Sequence, residues 1–190
     1  IKFINIEKFW KPSNLKYCIG AAGCKLSHYN LLKKISKNKN MGKYVIILED
    51  DCVLKKNFSE NLLKSIKFIE KYDIDFNILY LGCNFKRPSS FNIISENLLK
   101  CNINCGYTTH SMLFKTKNIP NIIKHIEKSE KEIDNTYMKL YKRYVVYPMI
   151  TYQREGISDI ISDENINFYG DFGEKKFIKD KMNQWLIENR

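Results

Sequence analysis

Residues 44–51 place four apolar residues, Val45, Ile46, Ile47 and Leu48, directly ahead of three acids, Glu49, Asp50 and Asp51. The apolar four are mostly β-branched and bounded by charge, the pattern of a strand buried on both faces of a sheet. Carboxylates within a sheet's core would be prohibitively costly. The strand must therefore end at Leu48 and release its acids into the crevice at the carboxyl end, where α/β sheets hold ligands. Three carboxylates this close repel and raise one another's pKa unless a cation relieves them, and a hard divalent metal is the natural occupant. A solvated acidic turn after a core strand is the competing reading, since short acid pairs also arise by chance.

With 190 residues the chain is long enough for one domain with its own core. Its 44% hydrophobic content, 12 Tyr and 11 Phe argue against disorder. No apolar run approaches the ~18 residues of a membrane span and no signal-peptide pattern opens the chain, so a soluble protein is expected. The chain opens on Ile1 rather than Met, as expected of a piece of something longer.

A net charge of +11 favours anionic partners: nucleic acid, an anionic membrane surface or a phosphate-bearing substrate. The lysines and arginines are spread along the chain, however, which makes a solvated basic surface the plainer explanation. Cys18, Cys24, Cys52, Cys83, Cys101 and Cys105 form no paired framework and are expected to be free thiols in a reducing compartment, the cytoplasm. Cys101, Cys105 and His110 lack the short Cys-x-x-Cys knuckle and fourth partner of a zinc site.

Residues 1–6 alternate as a short strand would, and Trp10, Pro12 and Ser13 end the pattern. Gly20 and Gly23 then lead into an expected helix with Leu26, Tyr29, Leu32 and Ile35 on its apolar face. Small residues at a helix start let amides approach a phosphate or sugar, although close packing on a sheet would explain the glycines equally well. Following the acidic run, Asn57 and Glu60 form a candidate capping pair for a helix with Phe58, Leu62, Ile66 and Ile69 on one face. Residues 76–82 read as a second buried strand, 86–90 as an exposed loop and 106–114 as a third strand.

A helix from Ile119 carries Pro120 in its first turn. The next is expected to align Ile133, Tyr137, Leu140 and Tyr144, with Asp134 near its start either as a capping charge or as a base aimed at a site. Residues 145–148 form a short strand stopped by Pro148, and 153–160 a returning loop. A closing helix at 174–188 bears Ile178, Met182, Trp185 and Leu186 beside several lysines. Docking on the core is its default role, and peripheral contact with an anionic membrane its second reading.

Three stretches together resemble glycosyltransferase family 25, which includes lipopolysaccharide sugar transferases and collagen galactosyltransferases. They are Gly23-Cys24-Lys25-Leu26-Ser27-His28, Leu48-Glu49-Asp50-Asp51, and Tyr147-Pro148 followed by Gln153 and Ser158-Asp159-Ile160. The likeness covers roughly residues 18–161, and departs from the family where Ala21 or Ala22 replaces the usual acid. The resemblance implies a GT-A type, Rossmann-like mixed α/β sheet flanked by helices, with the amino-terminal unit shortened or missing.

It also implies inverting transfer of a hexose from a nucleotide sugar, a UDP-sugar, to a glycan or protein hydroxyl, with Mn²⁺ or Mg²⁺ as cofactor and no nucleic acid as partner. Glu49 and Asp51 would hold the metal, with His110 able to complete its shell. Asp50, Ser27, His28, Gln153 and Ser158 would contact substrate. Asp134, and after it Asp159, would be the base. The helix amino terminus is expected to depress the Asp134 pKa. An inactive glycosyltransferase-like scaffold and a basic polyanion binder are the alternatives.

Overall fold

The computed structural model describes residues 15–85, 91–102, 105–154 and 176–189. In chain order the elements are α1 (Leu15–Lys37), β1 (Tyr44–Leu48), β2 (Cys52–Leu54), α2 (Phe58–Lys71), β3 (Ile78–Tyr80), β4 (Asn84–Phe85), β5 (Phe91–Ser95) and β6 (Leu98–Cys101). There follow β7 (Cys105–Tyr107), β8 (Ser111–Lys115), α3 (Ile119–Lys128), α4 (Ile133–Tyr137), β9 (Arg143–Val146), β10 (Thr151–Gln153) and α5 (Lys176–Glu188).

Six strands form a mixed sheet in the order β1-β8-β3-β9-β6-β5. Its β3–β9 pair is parallel and the other pairs are antiparallel. This is the Rossmann-like α/β architecture, with helices on both faces. The period of two divides the central strands between two cores. Ile78, Tyr80, Met112, Phe114 and Val145 meet Tyr29 and Leu32 of α1, Ile122 of α3 and Ile178 and Met182 of α5. Leu79, Leu81, Leu113 and Val146 meet Leu62 and Ile69 of α2 on the other face.

β1, β3 and β9 run in one direction and β8 in the other. The carboxyl ends of the first three therefore lie at the same end of the sheet as the start of β8. There β2 and β10 pair as a separate antiparallel ribbon, Cys52 opposite Gln153. Gly82, just beyond β3, lies under that ribbon so tightly that a Cβ would fall 2.5 Å from the Thr151 carbonyl oxygen.

Several local expectations are corrected. Among the described residues β1 is an edge strand rather than a strand covered on both faces. Ile47 is buried while Ile46 and Leu48 are 38% and 45% exposed. Gly20 and Gly23 lie inside α1, so its helical hydrogen bonds claim their amides, and open space adjoins Gly23. Neither proposed reason holds for Gly23. Leu26 is exposed, and the buried stripe of α1 runs through Ala21, Lys25, His28, Tyr29, Leu32 and Ile35. Lys25 belongs there because its ammonium caps the Ser129 and Lys131 carbonyls across the core.

Asn57 does precede α2, but at φ 65° and without a side-chain cap, and Glu60 turns to Lys64 at 2.8 Å. The single strand expected at 106–114 is two strands, β7 and β8, separated where Thr108 adopts φ 77°. The helix expected to extend to Tyr144 ends at Tyr137, and Tyr144 belongs to β9. Pro120 in the first turn of α3, and α5 docked through Ile178 and Met182, are as expected. None of the helices is long and apolar enough to cross a membrane among the described residues. The readings on residues 1–13 and 86–90 fall outside the described residues.

Candidate functional site

The acidic run does emerge at the carboxyl end of β1, and its three carboxylates take three different environments. Glu49 remains attached to the sheet through its N–H, which donates to the His110 carbonyl at 2.9 Å. Its side chain turns inward. Oε1 accepts hydrogen bonds from Thr109 Oγ1 at 2.6 Å and His28 Nε2 at 3.0 Å, and a long one from Cys24 Sγ at 3.9 Å. Burial works to raise the Glu49 pKa, and the bonds from His28 and Thr109 outweigh it, so the carboxyl lies below its ordinary value. Asp50 is exposed.

Asp51 opens the β2–β10 ribbon. Its Oδ2 accepts from Gln153 Nε2 at 2.6 Å, and its main-chain carbonyl accepts from the Arg154 N–H at 2.8 Å. Burial raises its pKa, with the Glu49 and Asp50 charges adding to the effect. Asp51 Oδ1 and Gln153 Oε1 are buried without a hydrogen-bond partner among the described residues. A buried acceptor left unmatched is costly, and an oxygen-seeking cation satisfies such an atom.

His28 is buried on α1 with both ring nitrogens engaged, Nε2 on Glu49 and Nδ1 with the Tyr137 hydroxyl at 3.2 Å. Ser27, its neighbour, faces outward on the exposed side of α1. Tyr137 is fully buried, and burial holds its hydroxyl well above the ordinary phenol value. Asp134 lies three residues earlier on α4, near enough to Cys24 and Glu49 for their charges to interact. Burial raises its pKa, against the expected depression. α4 has five residues, and loss of water outweighs what so short a helix offers through its dipole. One bond from the Asn135 N–H at 3.1 Å remains to the carboxylate.

His110, at the start of β8, is also buried, and burial lowers its pKa to about 4. Its Nδ1 meets Thr108 Oγ1 at 3.1 Å, and its Nε2 has no partner among the described residues. Asp159 and Ser158 lie outside the described residues.

Cys24, His28 and Glu49 present ligand atoms within 4.8 Å of one another, a trio able to hold a metal ion. A thiol and an imidazole suit a softer ion such as Zn²⁺ better than Mn²⁺ or Mg²⁺, and that ion would have to displace the Glu49–His28 hydrogen bond. Burial, reinforced by the Glu49 charge, pushes the Cys24 thiol up to about 12, so the trio meets the site as a hydrogen-bonding group. Asp51 Oδ1, buried and unmatched among the described residues, is an oxygen donor of the kind a hard cation prefers. Cys24, Cys52, Cys83 and Cys101 form no disulfide among the described residues.

The structure therefore gathers Glu49, His28 and Asp134 around one buried network and puts Asp51 with Gln153 on the adjoining ribbon. Sequence reasoning missed Thr109 and Tyr137 and gave Cys24 no role. Only helical spacing pointed to two of them, since Cys24 lies four residues before His28 and Tyr137 three after Asp134, and nothing local marked Thr109.

Comparison with known proteins identifies the family. Over 51 residues the chain is 51% identical to a protein of Acanthamoeba polyphaga mimivirus named "Putative glycosyltransferase R655", a stretch amounting to 27% of this chain and 15% of that relative. The chain thus spans well under two thirds of that relative's length. The sequence model of Glycosyltransferase family 25 (LPS biosynthesis protein) matches residues 4–147. That match takes in the Gly23–His28 motif, the acidic run, Thr109, Asp134 and Tyr137, and it ends ahead of Gln153. With more than half of its length matched, the chain belongs to glycosyltransferase family 25.

Proposed function

We propose that this chain transfers a hexose from a UDP-sugar to a hydroxyl of a glycan or protein, with inversion at the anomeric carbon, on a GT-A type fold using Mn²⁺ or Mg²⁺. The observation that carries the reading is the family's acidic run at the carboxyl end of β1, with Asp134 within electrostatic reach of Glu49. Lipopolysaccharide or glycoprotein acceptors follow from the family and are part of the proposal.

Asp51 and Glu49 would hold the cation, Asp51 through its unmatched Oδ1 while Gln153 fixes Oδ2. When bound, such a cation neutralises charge developing on a leaving diphosphate, an effect of order 10²–10³ in rate. Asp50, exposed beside them, would meet the ribose or the donor sugar. Asp134 would accept the acceptor hydroxyl's proton as that oxygen attacks the anomeric carbon and the bond to the diphosphate breaks. Its raised pKa makes it a stronger base than an exposed aspartate. Asp159 is the second candidate for that role.

The test is a panel of UDP-hexoses incubated with the purified chain, following UDP release with Mn²⁺ and with EDTA, alongside titration calorimetry with UDP. Metal-dependent turnover of one donor is expected. An absence of both turnover and UDP binding would overturn the reading in favour of an inactive scaffold. Metal-independent, salt-sensitive nucleic-acid binding would favour a basic polyanion binder.

A further inference from the structure

Glu49 is held from three directions outside its own strand. Thr109 approaches from the β7–β8 turn, Cys24 and His28 from α1, and Tyr137 of α4 supports His28 from behind. All three direct bonds end on Oε1, and none uses Oε2 among the described residues. An oxygen with this many donors fixes the carboxylate's rotation and leaves the other oxygen to face a ligand.

The chain of bonds has a fixed polarity. Ionised Glu49 only accepts, so His28 Nε2 must carry a proton. In the neutral imidazole Nδ1 is then a bare lone pair, and the Tyr137 hydroxyl donates to it. Tyr137 has no water to turn to, being fully buried, and its ring packs edge-on to His28 with centroids 5.7 Å apart. α4 bears Asp134 one turn earlier, so the same helix carries the candidate base and the end of the network.

We infer that Thr109 and Tyr137 are positioning residues for Glu49, Thr109 directly and Tyr137 by holding the His28 ring against it through Nδ1. They present Glu49 Oε2 to the donor site in a fixed frame relative to Asp134. Groups at this remove from a metal-binding carboxylate typically affect activity or metal affinity ~10–100-fold. The kinetic part of the inference rests on the glycosyl-transfer reading above, whereas the Tyr137–His28 hydrogen-bond part does not.

The experiment compares Thr109→Val, Thr109→Ser and Tyr137→Phe with wild type. It measures kcat and KM for the UDP-hexose, thermal midpoints, and the His28 tautomer by long-range ¹⁵N–¹H imidazole NMR. Thr109→Val and Tyr137→Phe should lower kcat ~10–100-fold with donor KM changed less than ~3-fold, and Thr109→Ser should restore kcat to within ~3-fold. Tyr137→Phe should leave the Nε2–H tautomer that Glu49 requires and move the His28 Nδ1 ¹⁵N resonance toward that of an imidazole nitrogen with no hydrogen-bond donor. Wild-type kcat in Thr109→Val, failure of Thr109→Ser to restore it, or an unchanged His28 Nδ1 resonance in Tyr137→Phe would each overturn the inference. A wild-type chain without turnover on any donor would defeat the glycosyl-transfer reading instead, and the NMR comparison would still decide the network.

Discussion

Gly82→Ala is the substitution whose consequence the structure specifies most closely. A Cβ at Gly82 would lie 2.5 Å from both the carbonyl oxygen and the Oγ1 of Thr151, and 2.8 Å from His110 Nε2. Contacts under 3.0 Å are essentially never tolerated by real Cβ atoms, so something must move. The Thr151 side chain can rotate away, but its carbonyl cannot. The backbone there is tied down by the Ile150 and Thr151 N–H groups, which donate to the Leu81 carbonyl at 2.9 and 3.3 Å.

Overpacking of this kind costs about 1–3 kcal/mol, and loss of one of these hydrogen bonds about 1 kcal/mol more. A total of about 2–4 kcal/mol lowers the thermal midpoint of a chain this size by about 5–15 °C. Scanning calorimetry or a circular-dichroism melt reads that directly. Moving β10 also carries Gln153 away from Asp51, so metal-dependent turnover should fall further than the loss of folded protein explains. Adding Thr151→Ala removes the hydroxyl obstacle and leaves the carbonyl, so the double variant should recover only part of the loss. A midpoint for Gly82→Ala within about 2 °C of wild type, or full recovery in the double variant, would refute the packing argument.

Asp51→Asn should abolish metal-dependent transfer while shifting stability by less than about 1 kcal/mol, because an Asn oxygen can still accept the Gln153 amide; a urea melt beside the turnover assay checks both parts. EDTA should reproduce the activity loss in wild type, with Mn²⁺ restoring it. Asp134→Asn should lower kcat by about 10²–10⁴ with donor KM little changed, as single-turnover kinetics would show. His110 protonates at about 4 when folded and near its ordinary 6.5 when unfolded. The unfolded state therefore binds more protons between these values, and stability should fall by up to about 3 kcal/mol as pH drops from 6.5 to 4. Urea midpoints measured across that window should show this slope in wild type and lose it in His110→Gln.

Much of the architecture was legible because burying one face imposes a local period. Leu62 and Ile69 mark the inner face of α2, Ile122 and Ile126 that of α3, and Ile178 and Met182 that of α5, as helical spacing requires. The acidic run at the end of β1 was equally plain, since three adjacent carboxylates cannot continue a core strand. Local chemistry misled where backbone conformation depends on distant contacts. Thr108 adopts φ 77° within a run that reads as continuous strand, and α4 stops at Tyr137 because the next residues turn to enter β9 beside β3.

The sequence by itself determined that an apolar strand ends in three carboxylates within an α/β fold, because composition and period along the chain are sufficient for that. Only the tertiary structure decided that the strand lies at the sheet's edge among the described residues. It likewise decided that Glu49 turns inward to Thr109 and His28 while Asp51 turns to Gln153. The physical reason is that hydrogen-bond partners 21, 60 and 102 residues away have no signature in local spacing and meet only when the strands take their order.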